Sequence, residues 1–249
     1  MLDRIRYVAK SVIGLARGMS SFSRTGQFGD GREAAARDYV LAHATPGDPE
    51  SMLRTIGEFA RARTLLPNVG DEKGLLLDAA IRKAQPTLLL ELGTYIGYSA
   101  VRTARLLTGD ARLLSLELNP VNAALARDII AHAGLADRVT VLDGTLGDGG
   151  STRHKLTTDH ALTPGALDFV FFDHLKSAYL PDLHTILEAG WLHPGSVVVA
   201  DNVKIPGAPD YRRFMRDHEG TSWRTVEHNT HVEYQSFLKD LVLESEYLG

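Results

Sequence analysis

Two short polar clusters each follow an apolar run in the second half of the chain. Asp173 and Lys176 follow the run LDFVFF, and Asp201 and Asn202 follow the run SVVVA. Such apolar runs are typical of strands covered on both faces of a parallel sheet, and the carboxyl ends of these strands meet at one edge, where ligands bind. Because neighbouring strands lie about 5 Å apart, three oxygen-bearing side chains can converge there on one cation.

This set of oxygen ligands favours magnesium. Mg²⁺ takes six oxygens at about 2.1 Å, usually from one or two carboxylates, with waters or substrate oxygens in the other positions. Zinc prefers imidazole or thiolate ligands, and the chain has no cysteine. The alternative is that Asp201 and Asn202 cap the next helix, a position that favours both residue types.

Lys176 is the candidate general base. It lies three residues after Asp173, one helical turn along, so its amine can reach a hydroxyl bound to the metal. A divalent cation lowers the pKa of a nearby lysine and of a bound hydroxyl, which suits proton transfer near neutral pH. The alternative is an ordinary surface lysine. His174, between the two residues, is predicted to line a cofactor pocket rather than to take part in catalysis.

A glycine loop and two acids indicate a nucleotide-like cofactor without phosphates. Gly93 and Gly97 follow the first predicted strand in the pattern GxxxG, which differs from the dinucleotide and phosphate-binding patterns, and no lysine follows it. Glu117 ends the second strand 20 residues after Gly97, where a carboxylate can bind both ribose hydroxyls, or simply be solvated. Glu91 lies inside an apolar strand and needs a partner, such as a cofactor cation or backbone amides.

The elements that must position these residues alternate along the chain. Three helical patterns, REAAARDYVLAHA, PESMLRTIGEFARAR and EKGLLLDAAIRKA, precede the first strand, and strands then alternate with helices as far as SVVVADN. This order predicts an α/β fold with a doubly wound, mostly parallel, seven-stranded sheet. The segment between VTVLDG and LDFVFFD is predicted to be a glycine-rich loop, and SWRTVEHNT and VEYQSFLKDLVLE an antiparallel edge hairpin.

The composition of the chain limits which partners it can bind and how many domains it forms. The 249 residues are 44 % hydrophobic and carry a net charge of −4, which suits one globular domain and lacks the basic footprint of a nucleic-acid binder. We assign 1–30 to a basic amphipathic extension and 31–249 to the domain. No apolar stretch is long enough to span a bilayer, so a cytoplasmic monomer or homodimer is expected. The extension is predicted to pack on its own domain or a sister subunit, with a membrane surface as the alternative.

Taken together, these motifs resemble those of the catechol O-methyltransferases. The likeness covers NVGDEKG, ELGTYIGYSAVRTARLL, DHLKSAYLPD, ADNVKIPGAPDY and YQSF, and it runs in order from about residue 31 to residue 238. It implies a class I, Rossmann-like methyltransferase whose last strand is antiparallel, which uses S-adenosylmethionine and in which Mg²⁺ holds both oxygens of a catechol.

The resemblance also implies a role for each matching position. The expected cofactor contacts are Asn68, Val69, Gly70, Glu91, Gly93, Tyr95, Gly97, Ser99, Glu117, Leu118, Gly144, Thr145, Asp173 and His174. The expected metal ligands are Asp173, Asp201 and Asn202, and the expected base is Lys176. The expected substrate contacts are Lys176, Asn202, Pro206, Leu65, Leu175 and Lys239.

The chain departs from the family at three places. Lys239 replaces a glutamate that binds the second catechol hydroxyl, which favours a more anionic substrate, and Glu233 or Asp240 are candidate substitutes if the strand is shifted. Aliphatic residues or proline replace the aromatic and methionine wall of the substrate pocket, which admits larger or less planar phenols, at Leu65, Pro67 and Leu175. An adenine-contacting serine and glutamine are replaced by Leu146 and Gly147.

The function that this resemblance implies is methyl transfer to one hydroxyl of a vicinal diphenol by in-line displacement, with Lys176 as base. Other phenolic acceptors, such as hydroxycinnamoyl esters, are the alternative within enzymes, because DHLKSAY also matches related plant-type methyltransferases. A cofactor-binding protein without turnover is the alternative from another class, and Lys239 is its motivation.

Overall fold

The computed structural model describes residue 21 and residues 25–64, 66–232 and 235–249, apart from the side chains of 235–237. The predicted amphipathic segment at 1–18, Leu65 and Glu233 lie outside these described residues. Within them, no helix is long and apolar enough to cross a membrane. The end of the extension packs on the domain, where the Asn119 and Asn122 side chains donate hydrogen bonds to the carbonyls of Thr25 and Gly26.

A seven-stranded sheet forms the centre of the fold, as the alternation of strands and helices predicts. Its strands are β1 Leu88–Leu92, β2 Arg112–Glu117, β3 Val139–Asp143, β4 Leu167–Phe172, β5 Leu192–Ala200, β6 Trp223–Val232 and β7 Gln235–Tyr247. They lie in the order β3-β2-β1-β4-β5-β7-β6. Strands β1 to β5 pair in parallel, and β7 is antiparallel to both β5 and β6. The predicted edge hairpin is confirmed, and its second strand is the one that joins the parallel strands.

Helices cover both faces of this sheet. They are α1 Arg32–His43, α2 Pro49–Ala62, α3 Gly70–Ala84, α4 Tyr98–Ala104, α5 Pro120–His132, α6 Ser151–Asp159, α7 Tyr179–Glu188 and α8 Pro209–Asp217. Buried residues of α1 to α5 pack with Leu89, Phe169 and Val197 in one core cluster. Those of α6 to α8 pack with Leu90 and Val170 in another. Because side chains alternate across a strand, one apolar run supplies both cores.

Two helices begin at a polar capping residue that is followed by proline. Asp48 accepts a hydrogen bond from the backbone amide of Ser51 at 3.0 Å, just ahead of Pro49 at the start of α2. Asn119 does the same for Val121 at 2.9 Å, with Pro120 as the first residue of α5. Both follow the preference for a polar cap followed by proline.

The predicted glycine-rich loop between β3 and β4 is wrong over part of its length, because α6 lies there. The Asp148 carboxylate accepts hydrogen bonds from the backbone amide and hydroxyl of Thr152, at 3.0 and 2.6 Å, and so starts the helix. The helix sequence STRHKLTTD buries only Leu156 and Thr152. One buried apolar residue produces no helical periodicity, so the segment looked like an extended loop.

Candidate active site

The glycine loop after β1 lies where the strand order reverses, between the ends of β1, β2 and β4. Gly93, Tyr95 and Gly97 all have positive φ, at 101°, 50° and 92°. A Cβ on Gly93 would meet the backbone oxygen of Asp173 at 2.5 Å, so a larger residue cannot fit there. The backbone amide of Gly93 donates to the carbonyl of Leu116 at 3.0 Å, which fixes the loop on β2. This is the crevice in which open α/β sheets bind ligands.

Glu117, the predicted ribose acid, is buried beside this loop. It accepts hydrogen bonds from the backbone amides of Tyr95 at 2.7 Å and Asn119 at 2.9 Å. Burial raises the pKa of Glu117 above its ordinary value, and these amides oppose the rise. The carboxylate is therefore held between the loop and the start of α5 rather than solvated.

Glu91 is a second buried acid, and it lies in β1. It is 1 % exposed and accepts a hydrogen bond from the Ser115 hydroxyl at 2.5 Å. Burial raises the pKa of Glu91 to about 7, the Ser115 bond opposes this, and the negative charges of Asp173 and Glu117 add to the rise. A carboxyl with this pKa suits a site that receives a cationic ligand.

We expect Glu91 to make stability depend on pH. Its native pKa of about 7 exceeds the ordinary 4.5, so the folded chain binds this proton more tightly than the unfolded chain. The free energy of unfolding should therefore fall as pH rises from about 4.5 to about 7, by on the order of 3 kcal/mol. Urea unfolding of Glu91→Gln between pH 5 and 8 should lack this component. The exposed Glu58→Gln is the control, and an unchanged pH profile in Glu91→Gln would contradict the assignment.

The three predicted metal ligands follow the tips of β4 and β5. Phe172 and Ala200 are register partners, so Asp173 and Asp201 continue side by side, and the Asp201 amide donates to the Phe172 carbonyl at 2.9 Å. Asn202 follows in a left-handed conformation. No group of three or more His, Cys, Asp or Glu side chains placed to hold a metal occurs in the described parts of the chain. The predicted set has two carboxylates and one amide, and Mg²⁺ is usually bound through one or two carboxylates together with other oxygen ligands.

The ammonium of Lys73 contacts one of these carboxylates, and the sequence analysis missed it. Its Nζ lies 2.8 Å from Asp201 Oδ1 and 3.1 Å from Asp240 Oδ2, and its side chain is 1 % exposed. The available signal was helical spacing, because Lys73 shares a buried stripe of α3 with Leu77 and Ile81. A lysine on such a stripe requires an acidic partner.

Asp240 occupies the position next to the family glutamate and is buried. Besides Lys73, its carboxylate accepts hydrogen bonds from Asn202 Nδ2 at 2.9 Å and from the backbone amide of Ile205 at 2.9 Å. Burial opposes ionisation, but the Lys73 charge and the Ile205 amide outweigh it and lower the pKa of Asp240. Lys239 is exposed. Of the two candidate substitutes for the glutamate, Asp240 is thus the one placed beside Asn202, and Glu233 is outside the described residues.

Lys176 is held at the same sheet edge. It lies in a short 3-10 turn, and its Nζ donates to Asp173 Oδ1 at 3.0 Å and to the Tyr179 hydroxyl at 2.7 Å. The Tyr179 hydroxyl in turn lies 2.8 Å from the Phe172 carbonyl and 2.9 Å from the Asp201 carbonyl. The amine is therefore directed toward the strand tips, as the role of a base requires.

His174 is oriented by a buried acid that the sequence did not reveal. Its Nε2 lies 2.8 Å from Asp182 Oδ2, and its ring stacks on Tyr179 at 5.0 Å. In the neutral imidazole the nitrogen next to the carboxylate carries the hydrogen, so Nε2 is the donor and Nδ1 is an acceptor. Nδ1 is buried and finds no hydrogen-bond partner among the residues described. The imidazole thus offers a buried hydrogen-bond acceptor just after β4.

The other residues that the sequence predicts for the site differ in burial and in their place in the fold. Asn68, Val69, Ser99 and Gly144 are packed close to the loop or helix ends, with Asn68 Oδ1 accepting from the Gly70 amide at 2.8 Å and the Gly144 amide donating to the Glu117 carbonyl at 2.9 Å. Leu118 and Leu175 are exposed at 65 % and 60 %. Thr145 lies in the segment after β3, and Pro206 lies in the helical turn Val203–Gly207. Leu146 is buried in the core against the sheet, and Gly147 offers no side chain.

Known proteins resemble this chain over most of its length. The family model described as O-methyltransferase matches residues 47–212. The chain is 60 % identical over 235 residues to a probable O-methyltransferase of Mycobacterium tuberculosis, covering 94 % of this chain and 100 % of that protein. It is 41 % identical over 214 residues to the catechol O-methyltransferase of Mus musculus, covering 86 % and 78 % respectively.

Solved structures share the fold. The O-methyltransferase TomG of Streptomyces achromogenes, solved in complex with SAM, superposes with a TM-score of 0.63 and 27 % identity over 79 % of this chain and 89 % of that one. An O-methyltransferase of Bacillus cereus superposes with a TM-score of 0.61 at 22 % identity, over 86 % and 97 % of the two chains. The sheet has the class I methyltransferase topology, and the chain belongs to the O-methyltransferase family.

Proposed function

We propose that this protein transfers the methyl group of S-adenosylmethionine to one hydroxyl of a vicinal diphenol in a reaction that depends on Mg²⁺. The observation that carries the proposal is the placement of Lys176 against Asp173 at the tips of β4 and β5, beside Asp201 and Asn202. The 41 % identity to a catechol O-methyltransferase of Mus musculus supports the acceptor class.

The residues around the glycine loop fit the cofactor. Its positive charges suit the buried acid Glu91, its ribose hydroxyls suit the buried acid Glu117, and another donor of its adenosine moiety suits the buried acceptor His174 Nδ1. When bound, S-adenosylmethionine would supply the methyl group that is transferred. We assign Glu117 to the ribose, and we assign His174 to a donor of the adenosine moiety.

The oxygen ligands fit Mg²⁺, which would be held by Asp173, Asp201 and Asn202. When bound, it would lower the pKa of a bound phenolic hydroxyl and stabilise the negative charge on the reacting oxygen. Lys176 accepts the proton of that hydroxyl at Nζ, while Tyr179 and Asp173 keep the amine in place. Because this oxygen is itself the nucleophile, no covalent intermediate on the chain is needed.

The function can be tested by incubating the protein with labelled S-adenosylmethionine and a panel of phenols, with Mg²⁺ or with EDTA. We expect transfer to vicinal diphenols only with Mg²⁺, and higher rates for diphenols with an anionic side chain, because Lys239 stands where the family has glutamate. Metal-dependent transfer only to hydroxycinnamoyl esters would select the alternative acceptor. Tight cofactor binding without metal binding or transfer would indicate the non-catalytic alternative.

We expect Asp182→Asn to weaken cofactor binding. The asparagine can present its amide nitrogen to His174, which permits the tautomer with hydrogen on Nδ1 and removes the acceptor. Loss of one such hydrogen bond corresponds to about a 3- to 10-fold weaker Kd for S-adenosylhomocysteine, measured by calorimetry without metal. Glu188→Gln removes an exposed charge from the same helix and serves as control. An Asp182→Asn variant with wild-type affinity would remove His174 Nδ1 from the cofactor site.

A further inference from the structure

Strand β7 carries one buried carboxylate near the edge where β5 ends. Asp240 is 1 % exposed, and it precedes the residues of β7 that pair with β5, which begin at the pair Ala200 and Leu243. It therefore lies beyond the last residue of β5, against the segment that follows Asp201. A buried acid in this place needs several hydrogen-bond donors.

Donors from three parts of the chain meet at this carboxylate. Oδ2 accepts from Asn202 Nδ2 at 2.9 Å and from Lys73 Nζ at 3.1 Å. Oδ1 accepts from the backbone amides of Ile205 at 2.9 Å and Lys204 at 3.3 Å. The contacts come from α3, from Asn202 and from the turn after it, so Asp240 joins α3 and this turn to β7.

These contacts set the orientation of both side chains at the tip of β5. The amide nitrogen of Asn202 donates to Asp240. The side-chain oxygen of Asn202 therefore points away from Asp240 and can serve as a metal ligand. Lys73 also contacts Asp201, with its Nζ 2.8 Å from Asp201 Oδ1, and so holds this second side chain in the same network. Two carboxylates and one ammonium leave a net negative charge, which favours a cation nearby.

We propose that Asp240 is a positioning residue for the cation site, acting on Asn202 directly and on Asp201 through Lys73. This inference rests on the proposed function, because it assumes that Asp201 and Asn202 hold a divalent cation. It differs from the sequence expectation, in which Asp240 substitutes for a glutamate that binds the substrate. Mutation of a residue that hydrogen-bonds to a metal ligand, without touching the metal, usually lowers metal affinity 10- to 100-fold.

The test measures Mn²⁺ binding to the full-length chain by electron paramagnetic resonance of the free ion. Asp240→Asn should bind Mn²⁺ about 10- to 100-fold more weakly than the wild type. Its affinity for S-adenosylhomocysteine, measured without metal, should stay unchanged, and the Mg²⁺ concentration for half-maximal turnover should rise. A merely structural role would lower stability without this selective loss of metal affinity.

Glu244→Gln is the matched control. It removes one negative charge from the same strand at a residue that pairs with Lys83, 2.9 Å away, and should bind Mn²⁺ like the wild type. If Asp240→Asn does not fold, Asp240→Glu keeps the charge but moves the carboxylate, and we expect weaker Mn²⁺ binding there too. Wild-type Mn²⁺ affinity in either folded Asp240 variant would overturn the inference. A wild-type chain that binds no Mn²⁺ would instead refute the proposed metal dependence.

Discussion

Replacing Asp201 with asparagine is expected to abolish methyl transfer and its response to Mg²⁺. The substitution keeps the shape of the side chain but removes a charged ligand from a set with only two carboxylates. We expect turnover to fall by more than about 100-fold, since loss of a direct ligand should exceed the 10- to 100-fold typical of an outer partner. Initial rates over a wide range of Mg²⁺ concentrations measure this effect.

Asp201→Ala should abolish activity as well, but it also disturbs the buried network. Removing one partner of a buried ion pair costs about 3–5 kcal/mol when the other charge is left alone. Lys73 keeps Asp240 at 3.1 Å, so the expected loss of stability is smaller. Urea unfolding of both variants separates the two effects. A folded Asp201→Asn variant that retains a tenth or more of the wild-type activity with Mg²⁺ would refute metal ligation by Asp201.

Lys176→Ala is expected to lower turnover by roughly 10² to 10⁴ fold, the usual range for a lost general base. The affinity for S-adenosylhomocysteine should stay nearly unchanged, because the contacts of the Lys176 amine are Asp173 Oδ1 and the Tyr179 hydroxyl at the strand tips. Single-turnover rates and calorimetry measure the two quantities. Unchanged rates would remove Lys176 from the mechanism.

Two further substitutions define what Lys176 contributes. Lys83→Ala removes a lysine that is 73 % exposed on α3 and should have wild-type turnover. Lys176→Arg keeps the positive charge but cannot give up its proton. If arginine restores most of the rate, the side chain acts by its charge, whereas continued loss supports the role of a base.

Much of the fold was predictable because its signals are local. Apolar runs such as LDFVFF define buried strands, and the capping residues Asp48 and Asn119 mark two helix starts. Helix α6 was not predictable in this way, since its cap lies in a glycine-rich stretch and its sequence has one buried apolar residue.

The contacts of the candidate site were also predictable only where the residues are close in sequence. Lys176 and Asp173 lie three residues apart, so their contact follows from the turn after β4. Lys73 and Asp240 are 167 residues apart in sequence, and no local pattern joins them. Their contact depends on β7 entering the sheet beside β5, in an order that periodicity alone does not specify.

The sequence by itself determined the family, through the resemblance of its motifs. It also determined the class of fold and the acids that follow β4 and β5, because spacing and apolar periodicity are local properties of the chain. Only the tertiary structure decided which partners hold those acids: Lys73 and Asp240 around Asp201 and Asn202, and Asp182 behind His174. The physical reason is that a buried charge is stabilised by whichever donors the packing of distant elements brings within about 3 Å.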